Sequence, residues 1–386
     1  MRKAAVLGMA MLGSTIAVAQ LPADQRERNE LQSAIQLQST IRATVFRDLV
    51  DRDSDGMRGQ WHALVGREDI SPHTKRDRPR CDALAADPLV LIAEEARKTN
   101  IVIINESHSS PRERHFVSQV LDALRQEGFD TYAAEALSHS DLKPGRVLGG
   151  DGFYSNEPIF ARTLLHAMAL GYRLVAYEAS QRGNEVDAAS SLKRRELREQ
   201  GQADNLMAAI FSKQPDAKVV IHVGGGHGNE RRDVTRADGI ALMGERLKAA
   251  TGRDPLTINQ IECESGGTST VIGRGFSSGE DVLVREFPMD LYVGHPRLTF
   301  LSGRPAWRRE IDDKPVPVPF AFLSSDERVI VEARPVGASL SEVPTDRLIL
   351  FPGERLPMLL PPGRYRIDGF TPAGRIAGDS VQVEVK

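Results

Sequence analysis

Residues 101–116 read IVIINESHSSPRERHF. The apolar run Ile101–Ile104 has the length of a short strand. It ends in Asn105-Glu106-Ser107-His108, which sets a carboxylate, a hydroxyl and an imidazole side by side. Pro111 then stands near the start of a helix pattern that places Phe116, Val120, Leu121 and Leu124 on one face. Read alone, the tetrapeptide is a turn in which Ser109 or Ser110 caps the next helix.

The chain on either side changes that reading. Three more apolar runs follow, Tyr132–Ala134, Leu174–Tyr177 and Val219–Val223. Helical patterns separate them, over Pro158–Leu170 and roughly Val186–Phe211, with another around Gly239–Ala249. Strands alternating with helices predict βαβ units and a mostly parallel sheet flanked by helices. The runs end in NESH, in Ala134-Glu135-Ala136, in Tyr177-Glu178-Ala179, and in Gly224-Gly225-Gly226-His227. Ligands of open α/β sheets bind beyond the carboxyl ends of the strands. Parallel polarity therefore predicts that Glu106, His108, Glu135, Glu178 and His227 converge on one edge.

Carboxylates beside imidazoles support two chemistries. His108 can act as a general base near neutral pH, oriented by Glu106 or Glu135, and activate water against a carbonyl carbon. Alternatively His108, His227, Glu106 and Glu135 hold one divalent transition metal, with zinc, manganese, cobalt and iron all suited to such ligands. Gly224, Gly225 and Gly226 allow close backbone approach and are expected to offer free amide donors to a bound anion or cofactor, near Glu178. His222 and Glu230 are second-line candidates, and His222 reads equally well as a core residue.

NESH, AAEA one strand later and GGGH later still resemble the motifs of the erythromycin-esterase, TraB/Tiki and ChaN-like superfamily, which carries two G-x-x-H motifs with glutamates between them. Arg198-Glu199-Gln200-Gly201-Gln202-Ala203-Asp204-Asn205 is similar to that group's Arg-acid-x-x-Met-Ala-x-Asn helix, with Gln202 in place of Met. The resemblance covers roughly residues 95–300. It implies a His/Glu hydrolase of an ester or amide bond, acting on a small molecule or a peptide with or without a metal. Its alternative is a protein that binds haem or another iron compound without catalysis. By position it assigns His108 and His227 to the two motif histidines, and Glu106, Glu135 and Arg198 to their partners. Asn105 stands where the first motif has Gly.

The rest of the chain frames this segment. Arg2 and Lys3 precede an apolar stretch, Ala4–Val18, and Ala17-Val18-Ala19 fits a signal-peptidase site, so residues 1–19 read as a signal peptide of a periplasmic or secreted protein. Cleavage there leaves 48 basic against 53 acidic residues, a formal charge of −5. That balance gives no general attraction to nucleic acid, and no segment predicts a transmembrane helix. Residues 20–95 read as a helical and irregular segment, 96–305 as the α/β domain, and 306–386 as a small all-β, sandwich-like module available to an envelope partner. Cys81 and Cys263 are the only cysteines. After export a bridge between them is expected, with two separate buried thiols as the alternative.

Two further motifs fail on context. Gly275-Phe276-Ser277-Ser278-Gly279 fits G-x-S-x-G but lacks the strand-to-helix turn of a nucleophile elbow. Asp51–Gly56 opens like a calcium loop, yet has His62 where the closing glutamate belongs.

Overall fold

The computed structural model describes residues 23–49, 55–75, 77–135, 137–179, 190–230, 239–277, 289–376 and 380–386. The signal-peptide expectation for 1–19, and most of the calcium-like loop, lie outside these residues. No helix among the described residues is long and apolar enough to cross a membrane.

An eight-stranded sheet forms the body. Its strands are β1 (Arg80–Ala83), β2 (Ile101–Glu106), β3 (Thr131–Ala134), β4 (Arg173–Ala176), β5 (Val219–Gly224), β6 (Leu256–Asn259), β7 (Val271–Ser277) and β8 (Leu291–Gly294). Their order is β1-β7-β8-β6-β2-β5-β3-β4. The six from β8 to β4 are mutually parallel, while at one edge β7 runs antiparallel to β8 and β1 antiparallel to β7. The four strands read from sequence as carrying the cluster, β2, β5, β3 and β4, are contiguous. Ser277 lies in β7, paired with Arg80, so Gly275–Ser277 of the serine motif belong to an antiparallel ladder; the rest of the motif lies outside the described residues.

Helices cover both faces of the sheet. One face carries α3 (Pro88–Ala96), α4 (Pro111–Gln126) and α5 (Pro158–Ala169). The other carries α6 (Ser191–Leu206) and α7 (Met243–Thr251). The first two helices among the described residues, α1 (Ala23–Asp48) and α2 (Asp55–Leu64), lie elsewhere. Side chains of β2 alternate between the layers: Val102 and Ile104 pack with Val117, Leu121 and Leu164, whereas Ile101 and Ile103 pack with Leu206, Val223 and Leu247. Burial on both faces is why this strand reads as an unbroken apolar run. Helix α4 begins with Pro111 at its first turn and is followed, after its cap residue Glu127, by Gly128, whose φ of +84° suits the left-handed position there. There Phe129 N donates to Leu124 O and Gly128 N to Arg125 O, closing the last carbonyls.

The antiparallel C-terminal module contains β12 (Val329–Pro335), β13 (Asp346–Leu350), β15 (Gly363–Thr371), the short β16 (Gly374–Arg375) and β17 (Val381–Val385), with β12 and β15 at its centre. A second ladder, β11 (Lys314–Val316) with β14 (Met358–Leu360), packs against one face; Met358 and Leu360 meet Val329, Val331 and Ile367. The two remaining strands, β9 (Phe300–Leu301) and β10 (Arg304–Pro305), form a short hairpin before the module. The other face of the module's sheet is covered by α1 and α2, as Ile41, Val45, Phe46 and Trp61 bury Ile330, Ile349 and Phe370. The beginning and end of the described chain thus share one core. Beneath it Glu332 is buried among Arg42, Arg334 and Arg347.

Cys81 of β1 and Cys263, just after β6, form a disulfide with Cα atoms 5.1 Å apart. It secures the antiparallel edge to the parallel strands.

Candidate active site at the carboxyl edge of the sheet

Strand β2 delivers Glu106 as its last residue, and the turn that follows folds His108 back over it. His108 Nδ1 lies 3.0 Å from Glu106 Oε1. From α4, Arg114 Nε donates to Glu106 Oε2 at 2.6 Å, Arg114 Nη2 donates to Oε1 at 3.1 Å, and Nη1 reaches Glu157 at 3.2 Å. Burial raises the Glu106 carboxyl, but Arg114 and the imidazoles of His108 and His222 outweigh it and hold the group well below the usual carboxylate range. Glu106 is therefore an ionised, buried anchor for the Nδ1–H of His108. The His108 side chain is 20% exposed, and its Nε2 has no hydrogen-bond partner among the described residues. Tyr154 stacks on its ring at 3.8 Å between centroids. Beside it opens a slot of about 10 Å³, lined by Trp61, Arg114, Tyr154 and Glu157, the scale of one water.

A second group of charges assembles from β3, β4, β5 and α6. Glu135, after β3, accepts from the Gly224 amide at 2.5 Å and pairs with Arg198. Arg198 also binds Glu178 at 2.6 and 3.0 Å. Glu135 is held below its ordinary value: burial opposes this, and His227 in its protonated form, Arg198, His108 in its protonated form and the Gly224 amide overcome it. His227 Nδ1 lies 2.6 Å from the buried Glu199, and Arg198 Nη1 lies 2.6 Å from His227 Nε2. A guanidinium has only donors, so that contact requires a neutral ring with its proton on Nδ1. Burial disfavours the imidazolium, while Glu199 and Glu135 favour it and win, raising its affinity for a proton. The contact geometry decides the state described: His227 is neutral, and protonating it breaks the Arg198 contact.

The predicted residues do converge. Gly224 joins the two groups, because a Cβ there would overlap Cε1 and Nε2 of His108 and lie 3.3 Å from Glu135 Oε2. The glycine is needed for the close approach of the imidazole. The expectation of free amides at the glycine turn changes: Gly224 N is taken by Glu135 and Gly225 N by the Glu106 carbonyl. Gly225 has a φ of +54°, and the Gly226 carbonyl accepts from Asn229. Asn105 is an internal brace, donating to Gly225 O and accepting from Gln260 N.

His222 is a core residue, bonded to Tyr132 Oη at 2.8 Å and stacked on Phe160, with Nε2 3.6 Å from Glu106. Glu230 pairs instead with Lys248. Arg114, Glu199, Glu157 and Tyr154 were not singled out by sequence. A signal existed for two of them: Arg114 shares the stripe of Val117, Leu121 and Leu124, and Glu199 heads that of Gln202, Ala203 and Leu206. A charge on a buried stripe needs a partner.

The metal expectation does not survive this geometry. Both Glu106 oxygens are taken by Arg114 and His108, both Glu135 oxygens by Arg198 and Gly224, and both His227 nitrogens by Glu199 and Arg198. Among the described residues His, Cys, Asp and Glu form no group able to hold a metal ion. Two guanidiniums already supply the positive charge that a cation would bring.

No family model matches the chain, and no curated protein does. Among solved structures, it is similar to the type III effector HopBA1, at 16% identity over 59% of this chain and 100% of that one, with a TM-score of 0.34. It is also similar to ChaN of Campylobacter jejuni, a structure of cofacial heme binding, at 13% identity over 54% of this chain and 91% of that one, with a TM-score of 0.29. RRSP, a MARTX toxin effector domain from Vibrio vulnificus, matches at 16% identity over 53% of this chain and 43% of that one, with a TM-score of 0.29. At these scores none of the three carries an argument about this chain.

Proposed function

We propose that this chain is a metal-independent hydrolase of an ester or amide bond, exported to the periplasm or beyond, with His108 as its general base. The observation that carries the reading is the Glu106–His108 pair, which leaves Nε2 without a partner at the mouth of the sheet edge. Glu106 fixes the tautomer, so Nε2 presents a lone pair. It takes a proton from water as the water oxygen bonds to the substrate carbonyl carbon. The resulting oxyanion faces Arg198, whose side chain is 23% exposed. When the carbon–oxygen or carbon–nitrogen bond breaks, the proton on His108 passes to the leaving group. The likeness of NESH, AAEA and GGGH to the esterase, TraB/Tiki and ChaN-like group agrees with this assignment.

The test is turnover of a panel of aryl esters and amides by the wild type and by His108→Ala. Loss of general-base catalysis should lower the rate by about 10²–10⁴-fold with the circular dichroism unchanged; an equally active variant overturns the reading. In the haem alternative His108 would hold the iron through the same Nε2, and the slot beside it would have to open. A Soret band on adding haemin, together with no turnover, would favour it.

A further inference from the structure

Helix α4 presents a second functional face. Arg112, His115, Phe116 and Gln119 follow at i, i+3, i+4 and i+7 and form one wall of a cleft of about 550 Å³. The turn Gly267–Thr270 and Trp307, in the 3₁₀ segment Ala306–Ile311, form other walls. This volume is that of a small-molecule site. The cleft is distinct from the His108 edge, because Arg114 is turned away from it onto Glu106.

Two buried donors in its walls are unmatched. Arg112 Nε has no partner among the described residues. The one hydrogen bond of this guanidinium goes to the Pro296 carbonyl, and it makes no ion pair among the described residues. Trp307 is 2% exposed, and its Nε1 is likewise buried without a partner. Leaving a buried donor unpaired is costly. Both orphaned atoms in this cleft are N–H donors, so the missing partner is an acceptor. Burial disfavours the charge of Arg112 and outweighs the pull of Glu68, Glu310 and Glu113, none of which forms an ion pair with it among the described residues, so an anionic acceptor fits best. Ser269 also lines the cleft; Arg297 is already paired with Asp77 and Glu264, Thr270 Oγ1 contacts His295 Nδ1, and the carboxylate of Glu310 is exposed. His115 stacks on Trp307 at 5.7 Å; burial, then Arg162 and Arg308, lower its proton affinity to a pKa of about 4, so the ring pair is a neutral surface.

We propose that this cleft binds a small organic oxyanion, a carboxylate or phosphate monoester on a compact planar group, with Arg112 and Trp307 Nε1 donating to its oxygens. The site does not depend on the hydrolase reading.

Isothermal titration of the full chain with phenyl phosphate and, separately, with benzoate tests it and tells the two anion classes apart. One saturable site for either ligand is expected. Arg112→Gln should weaken it by about tenfold or more, the worth of a charged hydrogen bond. Trp307→Phe keeps the ring and removes the N–H, so it should weaken binding severalfold, and it carries the test alone if Arg112→Gln does not fold. His108→Ala should bind as the wild type does. Absence of saturable binding by both ligands, unchanged affinity in the folded Arg112 and Trp307 variants, or loss of binding in His108→Ala would each overturn the proposal.

Discussion

The Cε1–Nε2 edge of His108 rests on the bare Cα of Gly224, at the point where a Cβ would project. Gly224 ends β5 and His108 lies two residues past the end of the neighbouring parallel strand β2, 116 positions away in sequence; the register pairs Glu106 directly with Gly224. A single missing methyl group therefore sets how closely the imidazole approaches Glu135.

Gly224→Ala should displace His108 and cost about 1–3 kcal/mol from overpacking. Hydrolytic activity should fall far more than stability does. Parallel measurement of chemical denaturation and ester turnover checks this, and unchanged activity would show that His108 works from another position.

Arg114→Leu leaves Glu106 and Glu157 buried without their cation, so about 3–5 kcal/mol of stability should be lost at neutral pH. The depressed Glu106 gives the wild type stability that is present above its unfolded value and is lost as pH falls through the folded one. In the variant Glu106 protonates more readily, so the gap between the two proteins should narrow as the pH falls. Denaturation midpoints at several pH values would read this out; a constant gap would argue against it.

Glu68 behaves in the opposite sense. Burial, then Glu157, raise its carboxyl from 4.5 to about 7, against Arg308, Arg304 and Arg112. Its protonated form suits the fold, so the stability it contributes is full below about pH 4.5 and is lost as pH rises through 7. Glu68→Gln should match the wild type in acid and exceed it by up to about 3 kcal/mol at pH 8. Thermal melts across that window test the difference.

Replacing Cys81 and Cys263 together with serine should cost about 2–5 kcal/mol. Because Cys81 sits in an edge strand, protection of β1 amides from hydrogen exchange should fall before that of β2 or β5. An unaltered melting temperature would mean that the antiparallel edge holds without its tether.

The sequence by itself determined the layered architecture around β2. Apolar runs of three to five residues, separated by helical periods, state which faces are buried, and parallel strands have one carboxyl edge. That is enough to bring Glu106, His108, Glu135, Glu178 and His227 together. Tertiary structure alone decided what each of them touches. Arg114 and Arg198 occupy the carboxylates, and among the described residues no ligand set for a metal is left. Asn105 meets Gln260 across 155 residues, and α1 and α2 close over the C-terminal sheet. Periodicity records that a side chain is buried. Its partner is chosen by register and by contacts between distant segments, which no local pattern encodes.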